Sequence, residues 1–366
     1  MKYILADHTY DAALRRIICS TSMPGSVRIT FGREPDFFYG LDVQGKQNQT
    51  LVALEDGVVV GLGCRTIKPV YVNKQRIDLG YLNGLRLLPH VRRRMALARG
   101  YSFLERLHAD RCVPAYLSTI VEENHEAISL LTSGRAGLPR YEDYGQYYTY
   151  ALLVGKKPRR VSGCCDGLTI LPGHQTSMRD IIDFLNTTGR RRQFFPVLEE
   201  SDLGTSYLRD LRPDNFHVAI QGNKIVGAVA SWDQNAFKQT ILSGYSGWAR
   251  LVQPLASRIL SLAGCGALPQ PGTWLNVCYA SFLCVDGDDS LILERLVDAL
   301  CTKARFAGHQ FILLGFHEND PLRNAMQKFL TIQYRSRVYL VYWDDGLNFC
   351  QTIDKKQCPY LELGAL

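Results

Sequence analysis

The sequence predicts an α/β chain of the α+β kind, built from two tandem copies of one unit, and three observations lead there. Val52-Ala53-Leu54-Glu55-Asp56-Gly57-Val58-Val59-Val60-Gly61 recurs in outline as Val218-Ala219-Ile220-Gln221-Gly222-Asn223-Lys224-Ile225-Val226-Gly227. Glu123-Asn124, opening a helix-like segment to Leu131, recurs as Glu318-Asn319 ahead of Leu322 to Phe329. Two anchors in the same order mark a diverged duplication. The third observation is a difference: one loop carries Arg92, Arg93 and Arg94 in the first copy but Asp286, Asp288 and Asp289 in the second. Only the first copy is therefore expected to hold a phosphate-rich cofactor.

The elements of the first unit, residues 1–154, follow from periodicity. A helix is expected over Asp11 to Ser20, then a polar and aromatic segment through Phe37-Phe38-Tyr39. β-Branched runs at Gln49 to Leu54 and Val58 to Arg65 flank Asp56-Gly57, a two-residue hairpin signal. A strand from Ile77 to Leu88 stops at Pro89, and after the arginine loop Leu97, Tyr101, Leu104 and Leu107 recur at helical spacing. A buried strand (Ala115 to Val121), a helix (His125 to Ser133) and an aromatic strand (Gly145 to Val154) close the unit.

Residues 155–166 read as a linker, because Gly155-Lys156-Lys157-Pro158-Arg159-Arg160 is polar and carries a proline. The second unit, 167–346, repeats the order. It has a helix (Met178 to Asn186), a helical region near Glu199 to Leu211, strands at Phe216 to Ile220 and Lys224 to Trp232, and a strand at Trp274 to Val285. A helix carrying Leu293, Leu296, Val297 and Leu300 follows, then a strand (Phe311 to Phe316), a further helix and the strand Arg337 to Trp343. Gly61 to Gly227 is a shift of 166 residues and Asn124 to Asn319 one of 195, so about 29 residues are inserted, placed at Arg250 to Thr273. The tail, 347–366, lies outside the repeat and is expected to pack across the first unit.

Length and composition narrow the function classes. At 366 residues and 46% hydrophobic content, with mean hydropathy of -0.10, the chain can fill two cores. No run of 18 apolar residues and no signal peptide is visible, so a cytoplasmic protein without membrane partners is expected. Eleven cysteines lack paired metal-ligand spacing and read as reduced thiols, with no metal. The net charge of +7 sits largely in short runs, Arg92 to Arg94, Lys156 to Arg160 and Arg190 to Arg192, which read as solvated surface or linker. Nucleic acid is not the expected partner.

A strand, a basic turn and an amphipathic helix aim the turn's N–H groups and a helix N-terminus at one point, which favours phosphate, and arginine adds charge-assisted bonds. With this loop and Glu123-Asn124-His125-Glu126-Ala127-Ile128-Ser129-Leu130 in order, the chain resembles the GNAT N-acetyltransferase superfamily. The family's cofactor loop, Gln/Arg-x-x-Gly-x-Gly/Ala, matches best at Arg93-Arg94-Met95-Ala96-Leu97-Ala98, with Ala96 in place of the first glycine. Its second signature, Asn-x-x-Ala-x-x-Leu, is met at Asn124, Ala127 and Leu130.

The resemblance implies two GNAT-like domains, each a mixed, mostly antiparallel sheet flanked by helices. It implies acetyl-CoA, or another acyl-CoA, bound by Arg92, Arg93, Arg94, Met95, Ala96, Leu97, Ala98 and Asn124. A backbone N–H of Leu87 or Leu88 would polarise the thioester. A small-molecule or peptide amine would attack directly, helped by a general base. Glu122 is the base candidate. The family's usual tyrosine acid is replaced by Leu131, so Tyr141 and Tyr144 are the candidate acids. Two other readings stay open: a non-catalytic CoA or small-ligand binder, and an aminoacyl-tRNA-dependent transferase.

Overall fold

The computed structural model describes residues 1–366 other than 93–94, 136, 156–166 and 263–267. Arg93, Arg94 and nearly all of the expected linker thus lie outside the described residues. The first unit runs β1 (Lys2–Leu5), α1 (Asp11–Ser20), β2 (Val27–Gly32), α2 (Phe37–Asp42), β3 (Gln47–Glu55), β4 (Val58–Val72), β5 (Gln75–Leu87), α3 (Ala96–His108), β6 (Tyr116–Val121), α4 (His125–Leu131) and β7 (Arg140–Leu153). The second runs β8 (Leu168–Pro172), α5 (Met178–Gly189), β9 (Phe216–Gln221), β10 (Lys224–Asp233), β11 (Gln239–Tyr245), α6 (Gly247–Leu262), β12 (Trp274–Leu275), β13 (Val277–Val285), α7 (Ser290–Phe306), β14 (Phe311–His317) and β15 (Thr331–Tyr342), with α8 (Leu347–Thr352) in the tail.

Local chemistry explains these elements. Asp56 and Gly57 have φ of 51° and 80°, and the repeat partners Gly222 and Asn223 have 52° and 64°, so both hairpins turn through left-handed pairs. In α1 the buried stripe is Leu14, Ile17 and Ile18. In α7 Leu293, Leu296, Val297, Leu300 and Ala304 are fully buried along one face. Two expected helices are absent. Between Glu199 and Leu211 only a single 3-10 turn forms, closed by a capping box of Glu199 and Asp202. Gly204 at φ 80° and Asp210 at φ 61° bend the chain away from an α-helix while Tyr207, Leu208 and Leu211 stay buried. The segment after Glu318-Asn319 is a 3-10 helix, Pro321–Lys328, rather than an α-helix.

The two units share one twelve-stranded sheet in the order β1-β3-β4-β5-β6-β15-β7-β14-β13-β10-β9-β8. The final strands are exchanged: β15 of the second unit pairs with β6, and β7 of the first pairs with β14. Each half contains one short parallel pair. β5 and β6 meet over Gly80↔Tyr116 to Leu82↔Ser118, and β13 and β14 over Val277↔Phe311 to Tyr279↔Leu313. Beyond these pairs the strands part. A second, three-stranded sheet joins β12, β11 and β2, so the strands flanking the inserted region reach the first unit.

Helices α3 and α4 cover one face of the first half, packing on Leu82, Tyr116, Ile120 and Tyr339. Helices α1 and α2 cover the other, over Val52, Leu62 and Cys64. The tail packs across both halves rather than the first alone. Leu361 joins Val70, Leu79 and Tyr81, while Tyr360 lies in the core of the second half. No helix among the described residues is long and apolar enough to cross a membrane.

Candidate active site

The parting of β5 and β6 opens a cavity of about 480 Å³. Ser118 Oγ donates to the Leu82 carbonyl at 3.0 Å and closes the base of the fork. Above it β5 bulges: Cys64 pairs with Asn83 but Leu62 with Arg86, so two residues, Gly84 and Leu85, stand opposite the single Gly63, and both face the cavity. Gly84 has φ of 66° and a Cβ there would come within 3.3 Å of Cys64 Sγ, so glycine suits this turn on both grounds. The lining includes Tyr101, Leu104, Leu131 and Tyr141 from the α3/α4 face and Leu62, Cys64 and the Thr21–Pro24 stretch from the α1/α2 face. The cavity therefore passes through the sheet at the fork, giving a ligand one compartment on each side.

Backbone donors line that passage. Leu88 N–H donates to the Val60 carbonyl at 2.9 Å and is spent in the ladder. This corrects its candidacy as a carbonyl donor. Hydrogen-bonded direction alternates along an antiparallel strand, so the neighbouring Leu87 turns its N–H away from β4, toward the fork. Leu87 lines the cavity, as do Gly84 and Leu85.

The start of α3 borders the cavity. Met95 occupies the N-cap without a side-chain cap, leaving the first-turn N–H groups of the helix without a side-chain acceptor. Ala96 and Leu97 line the cavity, and Arg92 borders it, donating to the Leu87 carbonyl at 3.1 Å with Glu126 at 3.8 Å. Met95, 74% exposed, and Ala98 are not part of the lining. Tyr3 hydroxyl donates to the Ala96 carbonyl at 2.6 Å and fixes the helix start. Asn124 lines the cavity too. Its Oδ1 accepts from Ala127 N–H at 3.2 Å to cap α4, which leaves the amide NH2 as the group available to a ligand. An uncapped helix start, a bordering arginine and a free amide along one cavity fit a pyrophosphate and a pantetheine arm.

The candidate acids and base separate. Tyr141 lines the cavity, 2.5 Å from the Tyr101 hydroxyl. Burial pushes the Tyr141 phenol up to about 12 and Tyr101 well above its ordinary value, so both are protonated at neutral pH. Tyr144 stands on the opposite face against Phe194 and His317, outside the lining. Glu122 is also outside it, held by Gln146 Nε2 at 2.6 Å and Arg335 Nε at 3.2 Å, so both its oxygens are engaged. Cys64 does line the cavity, but burial raises its thiol to about 11 and keeps it from being a ready thiolate nucleophile.

In the second half the corresponding bulge donors and helix start are met by the chain itself. Ala230 pairs with Ser281 and Ala228 with Cys284, so Phe282 and Leu283 occupy the bulge places of Gly84 and Leu85. Phe282 N–H donates to Glu362 Oε2 at 2.6 Å and Leu283 N–H to the Tyr360 hydroxyl at 3.1 Å. Asp289 caps α7 through Leu291 N–H at 2.8 Å. Asp286 pairs with Arg191 at 2.9 Å, while Arg192 bonds Asp288 and, at 2.8 Å, Asp320. The run Arg190 to Arg192, expected as plain surface, thus supplies the partners of the acidic loop.

No protein-family model matches the chain, and no curated protein matches it. Among solved structures it is similar to Saccharomyces cerevisiae N-myristoyltransferase with bound myristoyl-CoA, at 11% identity and TM-score 0.58, over 93% of this chain and 82% of that one. A second structure of that enzyme with myristoyl-CoA gives 10% identity and TM-score 0.57, over 93% and 78%. This likeness is one of fold, and it is the tandem GNAT-like arrangement.

Proposed function

We propose that the chain is an N-acyltransferase that takes an acyl group from acyl-CoA to an amine in the cleft of its first half, residues 1–154 with β15 completing the sheet. One contrast carries the reading. The bulge donors, the uncapped helix start and Asn124 share an open cavity in the first half, whereas the matching seats of the second are closed by Glu362, Tyr360 and Asp289.

Acyl-CoA would supply the activated acyl group as a thioester, whose C–S bond breaks as the amine nitrogen bonds the carbonyl carbon. The N–H groups of Gly84, Leu85 and Leu87 favour negative charge on the carbonyl oxygen. Tyr141, supported by Tyr101, gives a hydrogen bond to the departing sulfur. A phenol raised to about 12 is a weaker acid than a thiol, so it stabilises the thiolate by hydrogen bonding rather than by surrendering its proton. The proton lost by the amine passes to water on the other side of the fork, where hydroxyls can relay it but none is a base at neutral pH, burial raising the Tyr81 phenol to about 12. There Tyr81 hydroxyl meets Thr119 Oγ1 at 2.9 Å, and Thr119 borders the cavity.

An acetyl group is the first acyl group to test, and the cavity's size also admits longer chains. Release of free thiol from acetyl-, butyryl-, octanoyl- and myristoyl-CoA with a panel of amines tests the reading. Amine-dependent release that fails in Arg92→Glu is expected. One observation favours the non-catalytic alternative: among the described residues the only carboxylate lining the cavity is the exposed Glu126, and no histidine does. Tight CoA binding without thiol release from any pair would select that alternative, and absence of CoA binding would favour the tRNA-dependent one.

A further inference from the structure

Among the described arginines only Arg65 is fully buried; of the half-buried ones Arg192 and Arg209 hold carboxylates, whereas Arg33 and Arg86 beside the cleft, like Arg323 over the Tyr148 ring in the second half, have none among the described residues. Arg65 holds Asp110 at 2.7 and 2.8 Å, Arg192 holds Asp320 and Asp288, and Arg209 reaches Asp42 at 3.3 Å. Arg86 lines the cavity, donates to the Leu85 carbonyl at 2.9 Å, and leaves a buried Nε without a partner. Arg33 donates to the Gly32 carbonyl at 2.9 Å and packs where a Cβ on Gly40 would stand 2.4 Å from its Cδ, so Gly40 makes room for it. Neither guanidinium has an ion pair among the described residues. Both lie near enough to Cys64 to influence its thiol, and Cys64 is part of the cavity wall.

A half-buried cation without a counter-charge is disfavoured, and a ligand that supplies the missing anion relieves that cost. Desolvation lowers both guanidiniums from their ordinary value. Along β5 the side chain of Arg86 alternates with those of Leu85 and Leu87, which places it with Cys64 on the α1/α2 side, away from the uncapped start of α3. In the sealed second half the residue at the register position of Arg86 is the buried Cys284, and the cations near it, Arg191 and Arg192, are paired with Asp286, Asp288 and Asp320.

Resting on the acyltransferase reading, we infer that the substrate compartment on the α1/α2 side recognises a carboxylate through Arg86, with Arg33 behind it. The carboxylate belongs either to the acceptor amine or to the far end of the acyl group. In both cases it is a charge-assisted contact to Arg86 that selects the substrate.

Calorimetry on the full chain separates the sources. One arm compares succinyl-CoA with butyryl-CoA, and the other titrates 4-aminobutyrate against its neutral amide, 4-aminobutyramide, into the CoA complex. A charge-assisted bond is worth roughly 1.5–3 kcal/mol, so the carboxylate form of one pair should bind about tenfold tighter or more. Arg86→Met should remove that preference while leaving CoA affinity intact, and Arg86→Lys should keep part of it. Removing an unpaired half-buried charge should also leave the melting temperature equal or higher, unlike Arg65→Met, which strands Asp110. Equal binding within both pairs, or a preference surviving Arg86→Met, overturns the inference with the acyltransferase reading intact. Should CoA itself not bind, that reading falls. 4-Aminobutyrate and succinate titrated into the free chain and into Arg86→Met would then decide the carboxylate site alone.

Discussion

Glu362 seals the second cleft, and replacing it tests that role quantitatively. Its carboxylate, on a residue only 3% exposed, accepts from Phe282 N–H at 2.6 Å, the Tyr360 hydroxyl at 2.8 Å and Gly364 N–H at 3.0 Å. Alanine strands at least the two backbone donors in a water-poor place. Each unsatisfied buried group costs roughly 1–3 kcal/mol, so Glu362→Ala should lose about 2–6 kcal/mol of unfolding free energy. Glutamine keeps one carbonyl acceptor for these donors and should lose about half as much. Urea unfolding reads the loss as a lower midpoint at unchanged slope. Acyl-CoA stoichiometry should remain one per chain, since Asp289 still caps α7 and no cation replaces the carboxylate. Unfolding of Glu362→Ala within about 0.5 kcal/mol of the parent would refute the sealing role.

Tyr141→Phe should cut turnover by about a hundredfold with acyl-CoA affinity unchanged, read by steady-state kinetics and calorimetry, because the phenol acts only as sulfur departs. Burial lowers Lys68 from 10.5 to about 8, so between those values the unfolded chain holds a proton that the folded chain has lost, and stability rises with pH through that window. Lys68→Met should therefore stabilise the protein at pH 7 by up to about 3 kcal/mol, a gain that fades towards pH 10.5 in pH-dependent urea unfolding. A fragment of residues 1–157 should be insoluble or inactive, since it lacks β15 and leaves β6 and β7 as open edges. Solubility and thiol-release assays, with and without the remainder of the chain added, check this.

Local signals in the sequence carried as far as local physics reaches. The helix expected at Asp11 to Ser20 is α1 residue for residue, and the Asp56-Gly57 turn forms the hairpin it signalled. Asn124 was singled out through motif order, Leu87 only as an alternative to Leu88 and Tyr141 only beside Tyr144, and Asn124, Leu87 and Tyr141 line one cavity. The helical region expected near Glu199 to Leu211 did not form, because burial of Tyr207, Leu208 and Leu211 is met by turns once Gly204 and Asp210 adopt positive φ. The exchange of β7 and β15 has no local signal, since it depends on which strand each edge finds in three dimensions. Arg86, between two leucines in a strand, gives no sign in the sequence that its charge is unpaired. Likewise Arg191 and Arg192 read as surface until the fold brings Asp286, Asp288 and Asp320 to them.

Isothermal titration of CoA and of a non-transferable thioether analogue of acyl-CoA into the full chain tests the asymmetry between the halves most directly. One site per chain is expected, weakened about tenfold or more by Arg92→Glu for CoA but not for pantetheine fragments lacking the phosphates. Two sites, or one that is indifferent to Arg92→Glu and instead lost with Asp289→Lys in the second half, would contradict the placement of the reaction in the first cleft.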